Sequence, residues 1–141
     1  MSNGPRTSVW TVIHDLHSGR EPLFLLGRRS SAVNNSKSWN FFGGRCEKHE
    51  CPQVAAKREL LEEACIRAET LRLVLTIDIE RCHFMFYSLP YYSNLSPTLG
   101  TEHDDYGWFT IGQINSILLH NPTKEFFKDT DLQSLTRMLQ G

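Results

Sequence analysis

The sequence has no long hydrophobic run, no marked excess of charge of either sign and few cysteines. No apolar stretch approaches the roughly 20 residues needed to cross a bilayer. Met1 to Arg6 (MSNGPR) carry no apolar signal region, so a cytoplasmic protein without a membrane partner is expected. The 15 basic and 16 acidic residues leave a net charge of −1, which argues against broad nonspecific nucleic-acid binding and for small phosphorylated molecules as partners. Four cysteines, Cys46, Cys51, Cys65 and Cys82, are few for a disulfide scaffold, so reduced thiols are expected. Cys46, His49 and Cys51 do not follow a recognised zinc-ligand spacing and are assigned to loop and turn. There are no repeats or low-complexity segments.

What is present is an ordinary globular composition, 40% hydrophobic and 22% charged, in one domain's length over residues 1–141. Ser8 to Ile13 and Leu23 to Leu26 read as strands separated by the turn-like His17-Ser18-Gly19-Arg20. A polar loop, Ser30 to Ser38, leads into a short strand over Trp39 to Phe42, and Gly43-Gly44 reads as a turn into a helix that begins near Pro52. Leu71 to Ile79 and Cys82 to Leu89 form a strand pair joined near Glu80-Arg81, and Tyr106 to Thr110 is a further strand. Lys124 to Leu139 carries apolar residues at helical spacing and is expected to pack on the sheet as one amphipathic helix.

The most informative stretch runs from Gly44 to Ile66, GRCEKHECPQVAAKRELLEEACI. On a helix, Glu59, Glu62 and Glu63 stand at i, i+3 and i+4 and share a face, with Val54, Leu60, Leu61 and Ala64 broadly opposite. Like charges at this spacing cost roughly 0.2–0.5 kcal/mol per pair, so the crowding calls for full solvation or a bound cation. Oxygen ligands favour Mg²⁺ or Mn²⁺, and Mg²⁺ commonly completes its shell with water and phosphate oxygens.

These residues resemble the Nudix box, G-x5-E-x7-R-E-U-x-E-E-x-G-U with U aliphatic. Gly44, Glu50, Arg58, Glu59, Leu60, Glu62, Glu63 and Ile66 all match. Cys65 departs, standing where the family has a glycine that often adopts a left-handed conformation after the helix. A changed turn and altered local stability are expected there, with metal affinity unaffected. The resemblance implies an α/β fold, a mixed β-sheet sandwiched between α-helices. It also implies Mg²⁺-dependent hydrolysis of a nucleoside diphosphate linked to another group, by water attacking a phosphorus of the pyrophosphate.

Carried over residue by residue, the resemblance makes the Gly43 carbonyl, Glu59 and Glu63 metal ligands, with Glu62 completing the shell or assisting the water. Glu50 and Arg58 are expected to orient Glu59 and Glu63 from behind. The later stretch Thr101 to Trp108, TEHDDYGW, resembles a family loop whose glutamate reaches the metal. Glu102 is the matching ligand or general base, and His103 is the rival base because a similar histidine serves relatives acting on nucleotide sugars. Arg28, Arg45, Trp39 and Tyr106 are candidate substrate contacts, with Phe41, Phe84 and Trp108 as further stacking surfaces and Asn34, Asn35 and Asn40 as amide partners. The leading expectation is a MutT-like nucleoside triphosphate pyrophosphohydrolase. Alternatives are a nucleotide-sugar or dinucleotide hydrolase and a non-catalytic nucleotide- or RNA-binding module. A nucleotide is the expected small-molecule partner, no stable nucleic-acid complex is expected, and a homodimer is open.

Overall fold

Arg6–Asp15 (β1) sends alternate side chains into two cores, which puts it at the centre of the sheet. Val9 and Ile13 join one core and Trp10 and Val12 the other. The computed structural model describes residues 6–17 and 21–141. Within them β1 is followed by β2 (Leu23–Arg29), β3 (Trp39–Asn40), β4 (Phe42–Arg45), α1 (Pro52–Ala64), β5 (Arg72–Ile79), β6 (Cys82–Pro90) and β7 (His103–Phe109). Three helices complete the chain: α2 (Ile111–Ile114), α3 (Asn121–Phe127) and α4 (Leu132–Gln140).

The sheet runs β3-β2-β1-β6-β5, with β4 against β1 and β7 against β2. The β1–β6 pair is parallel and the other pairs are antiparallel, so the sheet is mixed. One core packs Val9, Ile13, Leu25 and Phe42 against Ala55, Ala56, Leu60 and Ala64 of α1. The opposite core packs Phe24, Phe41 and Phe86 against Ile114, Phe126, Leu135 and Leu139 of α2, α3 and α4. Helices therefore cover both faces. Phe41 meets Phe126 edge-on at 5.2 Å. Both rings are almost wholly buried, and truncating either to alanine would cost about 3–5 kcal/mol. Among the described residues no helix is long and apolar enough to cross a membrane.

The helix start at Pro52 and the turn at Glu80-Arg81 fall where expected, Glu80 taking a left-handed φ of 53°. The turn expected at His17–Arg20 lies outside the described residues from position 18 onward. The helix expected over Lys124–Leu139 is instead two. Lys128 is extended, Asp129 is left-handed at φ 55°, and the Asp131 carboxylate caps α4 by accepting from Ser134 N at 2.7 Å. The strand expected over Trp39–Phe42 breaks at Phe41, whose N–H donates to Thr123 Oγ1 at 2.8 Å rather than to a strand. The last strand begins at His103 and not at Tyr106, because β7 pairs with β2 as far as Arg29.

Gly43 and Gly44 form no turn. They lie in β4 opposite Trp10 and Val9, and Gly141 is the only described glycine with positive φ. Closeness is what requires them: a Cβ on Gly43 would lie 2.0 Å from the Val9 carbonyl oxygen. The turn after α1 also corrects the expectation. Cys65 takes the left-handed conformation, φ 55° and ψ 33°, and its N–H donates to Leu61 O at 3.0 Å, so cysteine keeps the helix-ending geometry that glycine would adopt more cheaply.

The expected division of α1 into an apolar face and an acidic face is not seen. Val54 and Leu61 are exposed (56% and 38%), whereas Glu63 is buried with Ala55, Ala56, Leu60 and Ala64. Small alanines and the two strand glycines let α1 approach β4 closely, so Glu63 is drawn onto the packed face.

Candidate active site

β4 and α1 meet where β4 has no side chains. A Cβ on Gly44 would lie 2.8 Å from the Glu59 carboxylate, and the Gly43 N–H donates to Glu63 Oε1 at 3.1 Å. Beside this seam opens a cavity of about 470 Å³. Gly43, Gly44, Glu59, Glu63 and Glu102 line one part of it, Arg6, Arg29 and Arg45 bring positive charge, and Trp10, Phe84 and Pro122 add apolar surface. Val33, from the polar loop, and His120 and Asn121, at the start of α3, complete the rim.

The carboxylates differ sharply in their fields. Burial pushes the Glu63 carboxyl up to about 10, helped by a hydrogen bond shared with Glu59 and by the charges of Glu59 and Glu102. Glu50 goes the other way. Hydrogen bonds from Arg58, and then from the Glu47 N–H, hold its carboxyl below the usual range. Arg58 reaches Glu50 Oε2 at 2.8 Å, Glu50 Oε1 at 3.0 Å, Glu59 at 2.9 Å and Glu62 at 3.2 Å. Its own pKa is raised, first by the Glu50 hydrogen bonds. Arg58 thus links Glu50 to Glu59, and neither Glu50 nor Arg58 bonds to Glu63.

The donor set fits a hard divalent cation. Glu59, Glu63 and Glu102 share one cavity, and among the described residues no basic side chain is within ion-pair distance of Glu63 or Glu102. Among the same residues no three His, Cys, Asp or Glu side chains are already gathered at ligand spacing. A bound cation would take the place of the proton that Glu59 and Glu63 share.

Several sequence candidates stand elsewhere. Glu62 projects outward against Arg58 and does not line the cavity. His103 is buried, its ring edge-on to Phe42 at 5.0 Å, and burial followed by the Arg29 charge lowers its pKa to about 4. It too is outside the cavity wall. Arg28 pairs with Asp104 at 2.7 Å and lies over the Trp39 ring at 6.0 Å, while Trp39 packs edge-on against Phe109 at 4.9 Å. Tyr106 is exposed on β7, which pairs with β2. Asn40 is buried and accepts from the Thr123 hydroxyl. Of the candidate substrate contacts, Arg45 and Phe84 reach the cavity. Arg29, which with Arg28 and Arg45 forms the basic patch of the sequence, reaches it too, whereas Trp10, His120 and Asn121 went unrecognised. Arg28 and Arg29 are consecutive strand residues that point to opposite faces, and composition does not say which one faces the site.

A family model described as the NUDIX domain matches residues 4–130, and the chain belongs to that family. Its fold is that of solved Nudix structures. It is similar to RenU, a Nudix hydrolase from M. Smegmatis, with a TM-score of 0.71 at 19% identity over 96% of this chain and 88% of that one. It is similar also to the MutT protein from Methanosarcina mazei Go1, with a TM-score of 0.66 at 23% identity over 91% and 94% of the two chains. In sequence it is 34% identical over 74 residues to an oxidized purine nucleoside triphosphate hydrolase of Danio rerio. That match spans 52% of this chain and less than half, 45%, of the relative.

Proposed function

We propose that the protein is a Mg²⁺-dependent nucleoside triphosphate pyrophosphohydrolase, releasing a nucleoside monophosphate and pyrophosphate. The observation that carries this reading is the meeting, in one cavity, of Glu59, Glu63 and Glu102 with Arg29 and Arg45. The curated relative named for oxidised purine nucleoside triphosphates supports a triphosphate substrate. The histidine that a nucleotide-sugar reading relies on, His103, is buried away from the cavity.

Glu59, Glu63 and Glu102, with the Gly43 carbonyl, are the residues we assign to Mg²⁺ or Mn²⁺. The ion would neutralise phosphate charge and make bound water a better nucleophile. Arg29 and Arg45 orient the triphosphate. Glu102, on the solvent side of the carboxylate group, takes the proton of the attacking water. That water bonds to one phosphorus as the bridging P–O bond breaks, and the departing oxygen leaves on the second fragment. Trp10 and Phe84 offer the base flat apolar surface.

Product analysis tests the assignment. Wild-type protein with Mg²⁺ should convert a purine nucleoside triphosphate to monophosphate and pyrophosphate and leave nucleotide sugars intact. Release of sugar phosphate instead would transfer the assignment to nucleotide sugars, and no cleavage of any nucleotide would overturn catalysis.

A further inference from the structure

Glu102 belongs to a segment with no regular structure of its own before β7 begins, yet four hydrogen bonds fix that segment to two other parts of the fold. On one side, Thr98 N donates to Ala64 O at 2.9 Å and Gly100 N donates to Glu63 O at 3.0 Å. These carbonyls belong to the last turn of α1, which has no partners for them within the helix. On the other side stands Ser30, the first residue after β2. Its N–H donates to Glu102 O at 2.9 Å, and its hydroxyl donates to Thr101 O at 2.6 Å.

The Ser30 hydroxyl also accepts from Ala32 N at 3.2 Å. One buried hydroxyl therefore joins the Glu102 segment to the polar loop that carries Val33 to the cavity rim. The same loop is tied to the cavity cation Arg29, whose Nε donates to Asn34 O at 2.7 Å. A serine in this place does more than end a strand: it hydrogen-bonds both the backbone that bears Glu102 and the loop that borders the cavity.

We infer that Ser30 is a positioning residue for Glu102, setting where that carboxylate meets Glu59 and Glu63. The inference rests on the assignment of Glu102 to the metal site. Residues that hold a metal ligand in place typically matter by about 10–100-fold in affinity or activity when removed. Threonine at position 30 keeps the hydroxyl and adds a methyl group, and valine matches threonine in shape without the hydroxyl, so the two variants together isolate the hydroxyl.

The test is a double-mutant cycle read first by Mn²⁺ binding, with Mn²⁺ alone as the probe, and second by turnover. Ser30→Val should weaken Mn²⁺ binding about tenfold and lower kcat with little change in KM. Ser30→Thr should restore both. In a Glu102→Gln background, Ser30→Val should add nothing. An equal loss in both backgrounds would show that Ser30 acts by another route and would overturn the inference. So would a Ser30→Val protein with unchanged Mn²⁺ binding, or a Glu102→Gln protein that binds Mn²⁺ as the wild type does. Thermal melts check folding, and Ser30→Ala provides the same comparison should valine not be accommodated. If no nucleotide is hydrolysed, the catalytic assignment fails while Mn²⁺ binding still decides the role of Ser30.

Discussion

Glu50, just before α1, and Glu63, in its last turn, feel opposite fields. Glu50 sits in the loop before α1, takes two hydrogen bonds from Arg58 and has its pKa lowered by them. Glu63 lies near the end of α1, 5% exposed, with Glu59 and Glu102 as its charged neighbours, and its carboxyl is pushed up to about 10. Arg58 serves Glu50, Glu59 and Glu62, whereas among the described residues Glu63 and Glu102 have no basic partner. Glu59 stands between the two environments, held by Arg58 on one side and sharing a hydrogen bond with Glu63 on the other.

The two glycines offer the largest perturbation of this contrast. Gly43→Ala should unfold the protein or abolish soluble expression, because the new Cβ would fall 2.0 Å from the backbone oxygen of Val9. Gly44→Ala meets only the end of the Glu59 side chain, at 2.8 Å. It should keep the melting temperature near wild type while lowering turnover about tenfold or more by displacing a ligand. Equal damage from both substitutions would break the distinction between a glycine for the strand and a glycine for the site.

Arg58→Ala would leave Glu50, like Glu63, with no basic partner among the described residues. The Glu50 carboxyl should move up toward its ordinary value in a carboxylate NMR titration, and turnover should fall about 10–100-fold as Glu59 loses its brace. An unchanged Glu50 titration would mean that Arg58 is not what lowers it.

A buried histidine outside the cavity, His14, contrasts with these carboxylates. His14, near the end of β1, is buried, its Nε2 paired with Ser88 Oγ at 2.6 Å and its Nδ1 without a partner among the described residues. Burial, followed by the Arg72 charge, lowers its pKa from 6.5 to about 4. A pKa lower in the folded chain than in the unfolded one means the neutral ring is favoured by folding. Its contribution is fully present above about pH 6.5 and is lost as pH falls toward 4, by up to roughly 3 kcal/mol. Urea melts at pH 7 and pH 4.5 should show the loss, and His14→Gln should shrink the difference. The smallest effect belongs to Cys65→Gly. It should relieve left-handed strain at φ 55°, raise stability by about 1 kcal/mol, and leave Mn²⁺ binding unchanged.

Much of the site was legible because the box places its residues at fixed offsets along one helix. Pro52 marks the helix start, and the spacing of Glu59 and Glu63 predicts that they converge. Burial was not legible from that spacing. Glu63 is on the packed face because β4 brings two glycines against α1, a fact of tertiary approach that helical periodicity does not encode. Nor was the fate of the later loop. His103 faces the Phe42 ring because the β2–β7 register shifts between Arg28 and Arg29, and one residue of register exchanges which side chain faces the core. The split of the last helix was within reach: Asp131, three residues before Ser134, is a capping signal that the apolar periodicity overshadowed.

The central claim is that Glu63 belongs to a cation-dependent phosphate site rather than to the core alone. The direct measurement is Mg²⁺-dependent pyrophosphate release from purine nucleoside triphosphates by wild type and by Glu63→Gln, with a thermal melt of each. Glutamine keeps the shape of the neutral carboxyl and cannot carry its charge. The variant should fold and turn over at least about 10–100-fold more slowly. A variant as active as wild type, or wild-type turnover that persists in EDTA, would contradict the central claim.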